Sequence, residues 1–406
     1  MQLDPVLPAR IPGSLPEVDS AALEAAWADF EQASRDQQFT PGVYVVDAES
    51  GDVLLDKNGE QGMAPASVVK ILTALTASNT LNMNDTLKTS VFIDEEGTLH
   101  LVGEGDLLLG EGKGDLKAIE GRAGIADIAA GVAKASEGRE LSGKLVYHDK
   151  IFEGPTLDPS LEEGLDAWIG HLAPYAIERG NLEHMVYTDD PSADVAEALK
   201  EALAKEGVAV TLEASSEPFG KEGELLVEVE SAPISEVVRL MLLESDNTLA
   251  EQLCRLSAQA AGLGTSLQDA TSHVMQTTAD LGLYTGELGM RDCSGLNVAD
   301  RVAPRTVVEA LGLIHTSSDP ATFQLQRDMP IGRFTGTLNK RFDGEDNGAR
   351  IAAKTGTLDE VASLAGYVTT RSGRVLIFHV QSFGLEEGAV FTRPAIDDFA
   401  LALAQL

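Results

Sequence analysis

The stretch "SLAGYVTTRSGRVLIFHVQSF" (363–383) most constrains this chain's fold. Two runs rich in β-branched and aromatic residues flank Arg371–Ser372–Gly373–Arg374, a pattern that predicts a hairpin. A second hairpin is predicted near the other end, in "PGVYVVDAESGDVLLDKNGE" (41–60), where a Gly-containing turn separates two strands. Helical periodicity precedes the first hairpin at 20–34 and follows the last in "RPAIDDFALALAQL". "ARIAAKTGT" supplies one more strand. Strands and helices from both ends imply a single antiparallel sheet covered by helices, an α/β (α+β) arrangement. At 406 residues the chain exceeds a typical domain, and from about 86 to 190 its texture changes. There "LHLVGEGDLLLGEG" is strand-like, "GIADIAAGVAKAS" is helical, and irregular glycine- and proline-rich stretches follow. The expected organisation is a main domain of residues 1–85 plus 191–406, with a smaller domain, 86–190, inserted. Amphipathic helices at 192–208 and across 234–262 are assigned to the main domain.

The net charge of −35 opposes binding to nucleic acid or anionic membrane, which reward basic patches. No apolar run is long enough for a membrane span. The N-terminus is acidic and proline-containing and shows no export signal, which could have been trimmed. The seven histidines form no metal-ligand pattern, and no phosphate-binding loop or internal repeat stands out, so neither metal nor cofactor is expected. His148 is the most exposed-looking histidine and reads as structural. Cys254 and Cys293 are too far apart for a zinc or thioredoxin motif; they read as two buried thiols or as one disulfide of an exported protein.

Three short signals carry the chemistry. "APASVVKILTALTA" (64–77) is a helix apolar on most sides, with Pro65 at its start and Ser67 and Lys70 one turn apart. Its plain reading is a capping serine beside a lysine that snorkels to solvent. "ESDNTLAEQL" sets Ser245, Asp246 and Asn247 between apolar helical segments, plainly a cap or turn. "AAKTGTL" sets Lys354, Thr355 and Gly356 near a strand end, plainly an edge strand guarded by lysine.

Taken together, in this order, Ser-x-x-Lys, Ser-Asp-Asn and Lys-Thr-Gly resemble the signature of class A β-lactamases and penicillin-binding proteins. The chemistry suits acyl transfer. Ser67 needs a base to become a nucleophile, and Lys70, partly desolvated near other cations, can serve. The helix start at Ser67 and the backbone N–H of Thr357 can stabilise an oxyanion. Lys354 and Thr355 suit a terminal carboxylate, and Gly356 lets a substrate backbone approach. Ser245 can relay a proton to the leaving amine, and Asn247 can hold the substrate amide.

The blocks "PASVVK", "ESDNTLAEQL", "RDCSGLNVADRVAP", "GTLNKR" and "AAKTGTLDEVASLAGYV" extend the likeness over most of 40–385. They resemble the D-alanyl-D-alanine carboxypeptidases/endopeptidases of the class C low-molecular-mass penicillin-binding proteins, the penicillin-binding-protein-4 type. That resemblance implies a penicillin-binding-protein/β-lactamase-like transpeptidase fold with an inserted domain between the first two motifs. It also implies an exported enzyme acting on peptidoglycan stem peptides and acylated by β-lactams. "LVGEGDLLL" resembles a weakened Gly-Gly-Asp-Pro block, with Leu107 at the proline. The 178 positions from Ser67 to Ser245 are fewer than in the family's larger members, which implies one inserted domain. Cys293 replaces a common glycine, and against Cys254 so soon after Asn247 it makes a disulfide worth testing. Val298 stands where the family often has an arginine, so the side-chain preference of the substrate is open. The competing readings are a β-lactamase, a promiscuous esterase and a non-catalytic cell-wall binding protein on the same fold. Oligomeric state and the balance of carboxypeptidase and endopeptidase action are open from sequence.

Overall fold

Helix α1 (Ser20–Gln37) begins where Asp19 accepts from the backbone N–H groups of Ala21 and Ala22, and it turns Leu23, Trp27 and Phe30 inward. The computed structural model describes residues 15–183, 186–220, 223–386 and 388–406. Most of the N-terminal segment in which an export signal was sought lies outside them. Strands β1 (Thr40–Asp47) and β2 (Val53–Lys57) form the expected first hairpin. Helix α2 (Lys70–Thr80) starts later than Pro65: Ala66–Val69 is a separate 3₁₀ turn that carries Ser67. Every α2 residue from Lys70 to Ser78 is buried, so the helix runs through the interior.

A second body follows. Its elements are β3 (Lys88–Ile93), β4 (Leu99–Gly103), β5 (Asp106–Leu109), α3 (Ile125–Ala135), β6 (Lys144–His148), β7 (Tyr175–Ile177), β8 (Asn181–Glu183), β9 (Val186–Tyr187), α4 (Pro191–Lys205), β10 (Thr211–Ser215) and β11 (Glu224–Glu230). Five of these strands form a mixed sheet in the order β10-β6-β4-β3-β11. Helices α3 and α4 supply Ile128, Val132, Leu199 and Leu203 to its core beside Val91 and Leu101. The expected boundary at 190 therefore moves to about residue 230. An amphipathic stripe says that a helix covers a sheet, not which sheet. Strand pairing decides it here, through Thr211 opposite Lys144 and Glu230 opposite Lys88. His148 is buried rather than exposed: its ring contacts His100 and Phe219, and Nδ1 lies 2.9 Å from the carbonyl of Glu217.

The chain then returns through α5 (Ile234–Glu244), α6 (Asn247–Ala260), α7 (Leu267–Asp280), α8 (Pro304–Thr316) and α9 (Pro320–Arg327). It ends with β12 (Ile351–Leu358), β13 (Val361–Thr369), β14 (Val375–Phe383) and α10 (Ala389–Gln405). The antiparallel sheet β12-β13-β14-β1-β2 joins both chain ends, with Thr40 opposite Phe383. One face buries Val43, Leu364 and Phe378 against Leu23, Phe30 and Phe399 of α1 and α10. The other sets Tyr44, Ala365 and Ile377 toward α2 and the helices around it. Strand β13 is buried from Val361 to Val368, as a strand covered on both faces must be.

Cys254 of α6 and Cys293 form a disulfide, so the two-thiol reading does not hold. The pair lies 39 residues apart in sequence. Closing a loop of that length is worth about 4 kcal/mol in the chain-entropy model. Replacing both cysteines with alanine should lower unfolding free energy by about 2–4 kcal/mol, read as a drop in urea midpoint with a somewhat steeper slope, since the unfolded chain loses its cross-link.

Candidate active site

Three elements converge on one cleft of about 680 Å³. The 3₁₀ turn brings Ser67, the α5–α6 junction brings Ser245 and Asn247, and β12 brings Thr355 and Thr357. Lys70 and Lys354 lie fully buried beneath them. All four expected catalytic residues and all four expected substrate residues thus fall in one place.

Lys70 does not snorkel. Its Nζ lies 3.0 Å from Ser67 Oγ, 2.6 Å from Asn247 Oδ1 and 2.6 Å from the carbonyl oxygen of Ser294. As an ammonium Lys70 donates to all three; as a neutral amine it donates to the amide and carbonyl oxygens, which can only accept, and keeps a lone pair for the Ser67 hydroxyl. Burial pushes the Lys70 ammonium down to about 8, while Asp292, Asp246 and Glu251 oppose the shift. Desolvation, one of the two causes expected from sequence, is the chief one, and the charges that act on Lys70 are acids rather than cations. Lys354 Nζ donates to Ser245 Oγ at 2.7 Å and to the Thr355 carbonyl at 2.8 Å. Burial, and then Lys70, push its ammonium well below the ordinary lysine range. Both plain readings of the later motifs hold in part. Asp246 caps α6 by accepting from Leu249 N–H at 2.8 Å, and β12 is an edge strand, but its lysine guards nothing at the surface.

The outer edge of β12 faces the cleft. Ala353 N–H points away from β13, to the Pro330 carbonyl at 2.9 Å. Amides alternate along a strand, so those of Thr355 and Thr357 point the same way. The Thr357 N–H accordingly points to the open side of β12. Gly356 serves a different purpose from the one expected. A Cβ there would meet Ser363 Oγ and the Pro65 carbonyl, so the glycine lets the Ser67 turn lie against β12 rather than admitting substrate.

That turn is held under strain. Ala66 takes φ +48°, a conformation that costs a non-glycine residue roughly 1–3 kcal/mol. The surroundings impose it: Gln381 Nε2 donates to the Ala64 carbonyl, Ser363 Oγ donates to the Pro65 carbonyl, and Gly295 lies against the Ala66 carbonyl.

Sequence reasoning quoted the block around Asp292 but gave it no task. Asp292 Oδ1 accepts from the N–H groups of Ser294 (3.1 Å) and Gly295 (2.6 Å), and Oδ2 from Asn297 (2.7 Å). Wrapped this way, the loop presents the Ser294 carbonyl to Lys70 and the Cys293 carbonyl to Thr73. Thr337, in the quoted "GTLNKR", accepts from Thr355 Oγ1 at 2.9 Å. Trp168 and Tyr187 line the cleft from the irregular part of the second body, where no sequence signal marked them. Val298 sits in an apolar cluster with Ala64, Ala66 and Leu296. Among the described residues no group of acidic, histidine or cysteine side chains has the arrangement of a metal site.

Residues 20–177 and 170–400 match the model of the D-Ala-D-Ala carboxypeptidase 3 (S13) family. The chain is 33% identical over 373 residues to carboxypeptidase DacB of Mycolicibacterium smegmatis, covering 88% of this chain and 79% of that one. It is 26% identical over 454 residues to a D-alanyl-D-alanine carboxypeptidase of an Actinomadura species, covering 91% and 84%. Among solved structures, penicillin binding protein 4 (dacB) of Haemophilus influenzae superposes with a TM-score of 0.74 at 19% identity, covering 96% of this chain and 100% of that one. The shared fold is the antiparallel sheet flanked by helices.

Gly295 gives the most direct test of the strained turn. It holds φ +79°, and an added Cβ would strike the Ala66 carbonyl. Gly295→Ala should slow any acylation of Ser67 by about 100-fold with the protein still folded, measured by stopped flow beside a thermal melt.

Proposed function

The chain belongs to the D-Ala-D-Ala carboxypeptidase 3 (S13) family, and from that premise we propose a serine D,D-peptidase acting on peptidoglycan stem peptides through a Ser67 acyl-enzyme. The observation that carries this reading is the buried Lys70 amine 3.0 Å from Ser67 Oγ, with its other two partners both acceptors. Ser67 Oγ attacks the carbonyl carbon of the penultimate residue while its proton passes to Lys70 Nζ. The backbone N–H groups of Ser67 and Thr357 receive the oxyanion. On collapse, the C–N bond breaks and the leaving amine takes a proton through Ser245 Oγ. Water then attacks the acyl-enzyme with the proton transfers reversed. Asn247 holds the acyl-side amide, and Lys354, Thr355 and Thr357 receive the terminal carboxylate.

The two buried lysines divide the work. Burial disfavours an ammonium on each, and Lys70 disfavours one on Lys354 further. Lys354 Nζ can donate to a substrate carboxylate as a neutral amine, and the competent base is the Lys70 amine after it has lost its proton.

The acidic surface and the disulfide fit an exported protein, and we place its action outside the cytoplasm, where stem peptides lie. No described helix is long and apolar enough to cross a membrane. β-Lactams, which present a carboxylate and a strained amide, are expected covalent inhibitors.

Intact-protein mass spectrometry after incubation with benzylpenicillin should show one lasting adduct on the wild type and none on Ser67→Ala. No adduct with the penicillin intact would remove the acyl-transfer reading; no adduct with the penicillin consumed would make the protein a β-lactamase.

The second-order acylation constant should rise with pH as Lys70 loses its proton. Burial has lowered that pKa, so the limb should centre near pH 8 and not near 10.5, read from acylation rates between pH 6 and 10.

A further inference from the structure

Arg179 lies just beyond β7, in the second body, yet its side chain reaches the catalytic junction. Glu178 and Arg179 both take left-handed backbone conformations, φ +46° and +63°, which side-chain-bearing residues adopt rarely and seldom in succession. The effect is to turn a guanidinium inward until it is only 13% exposed. There Nη2 meets Glu120 of its own body at 2.8 Å, Nε lies 3.4 Å from Asp246 and Nη1 lies 3.6 Å from Glu244. Glu244 and Asp246 are the two neighbours of Ser245, which itself takes φ +61° where α5 ends.

One cation thus stands between both shoulders of Ser245 and the second body, acting by charge, since its Nη1 has no hydrogen-bond partner among the described residues. Two further contacts from that body grip the next residues: Asn247 Nδ2 donates to the Trp168 carbonyl at 2.9 Å, and Gly170 N–H donates to Thr248 Oγ1 at 2.9 Å. Without a counter-ion, carboxylates on both sides of Ser245 would repel each other across the tight turn. We propose that Arg179 is a positioning residue through which the inserted body sets the geometry and charge of the Ser245–Asn247 turn for acylation of Ser67. The inference rests on the acyl-transfer reading above.

Two consequences separate this role from simple support. Asn247 Oδ1 is one of the three partners of Lys70 Nζ, so a loosened turn misplaces the base as well as the relay. Charge matters too. Asp246 is one of three acids, with Asp292 and Glu251, that favour an ammonium on Lys70 against its burial, and Lys70 in turn disfavours one on Lys354. Arg179 offsets Asp246, Glu244 and Glu120, and Tyr187 also faces it. Removing its charge therefore strengthens the hold of Lys70 on its proton, and the acid limb of acylation moves to higher pH.

The experiment compares wild type, Arg179→Met, Arg179→Lys and the double variant Arg179→Met/Glu244→Gln in the full chain. Benzylpenicillin acylation is followed from pH 6 to 10, and hydrogen exchange of the 242–250 segment reads the turn without turnover. Arg179→Met should acylate about 10- to 100-fold more slowly, shift its limb up by roughly half a unit to one unit, and exchange faster in that segment. Arg179→Lys should restore the limb but only part of the rate, since it keeps the charge and loses the flat guanidinium that reaches Glu120, Glu244 and Asp246 at once. The double variant, with one acid fewer, should recover part of both. If Arg179→Met melts too early to assay, the lysine variant decides by its rate and exchange. Unchanged acylation, pH limb and exchange in a folded variant overturn the proposal, as does a fall in melting temperature alone. A wild type that takes no adduct counts against the acyl-transfer reading, and the exchange comparison still decides for Arg179.

Discussion

A primary amine with no exposed surface is the constraint around which the rest of this molecule is arranged. Lys70 enters the core on a helix buried along most of its length, and water reaches none of it. A buried ammonium must find strong partners or lose its proton. The protein supplies polar partners from three separate parts of the chain, the Ser67 turn, the α5–α6 junction and the loop around Asp292. Each must be placed to within a fraction of an ångström for one amine to use them all. Much of the surrounding structure can be read as the means of that placement.

The strained positions show the cost. Ala66 and Ser245 each hold φ angles that the surroundings must enforce, and each adjoins or is a polar group of the cleft. Around Ala66 the enforcement comes from the main sheet, through Ser363 and Gln381, and from the close approach of Gly295 and Gly356. Around Ser245 it comes from the Met241 carbonyl that ends α5 and from the Asp246 cap that begins α6. The disulfide then fastens α6 to the loop that carries Ser294, linking two of the three sources of partners covalently.

Periodicity made the main sheet legible, because β1, β2, β13 and β14 have sharp turns and alternating or continuous apolar runs. The eight site residues were legible because Ser67–Lys70, Ser245–Asn247 and Lys354–Thr357 are compact motifs. What sequence could not give was assignment between bodies. Helix α4 and strands β10 and β11 look alike whichever sheet they join, and only pairing over more than sixty positions resolves it. Nor could it give Trp168, Tyr187 or Arg179, which reach the cleft from loops whose course depends on tertiary contacts. Gly356 shows a subtler limit: the residue was identified and its reason was not, since the group that needs the space lies nearly 300 positions away in Pro65.

Electrostatics completes the picture at a longer range. A chain of net charge −35 repels the carboxylates its cleft is suited to take, yet beyond about 8 Å physiological salt screens that field. Inside the cleft the balance is more even. Lys340, Arg341 and Arg393 line it with Glu244, Asp246 and Asp359, above the buried Lys70 and Lys354, and Arg341 is already paired with Asp397. Neither buried amine is comfortable as a cation by itself, since burial lowers both. An anion arriving there relieves a desolvation penalty as well as making contacts, so its binding and the protonation state of the base are one linked equilibrium. That linkage follows from burying two amines within reach of each other, and a surface lysine of the same sequence spacing would lack it.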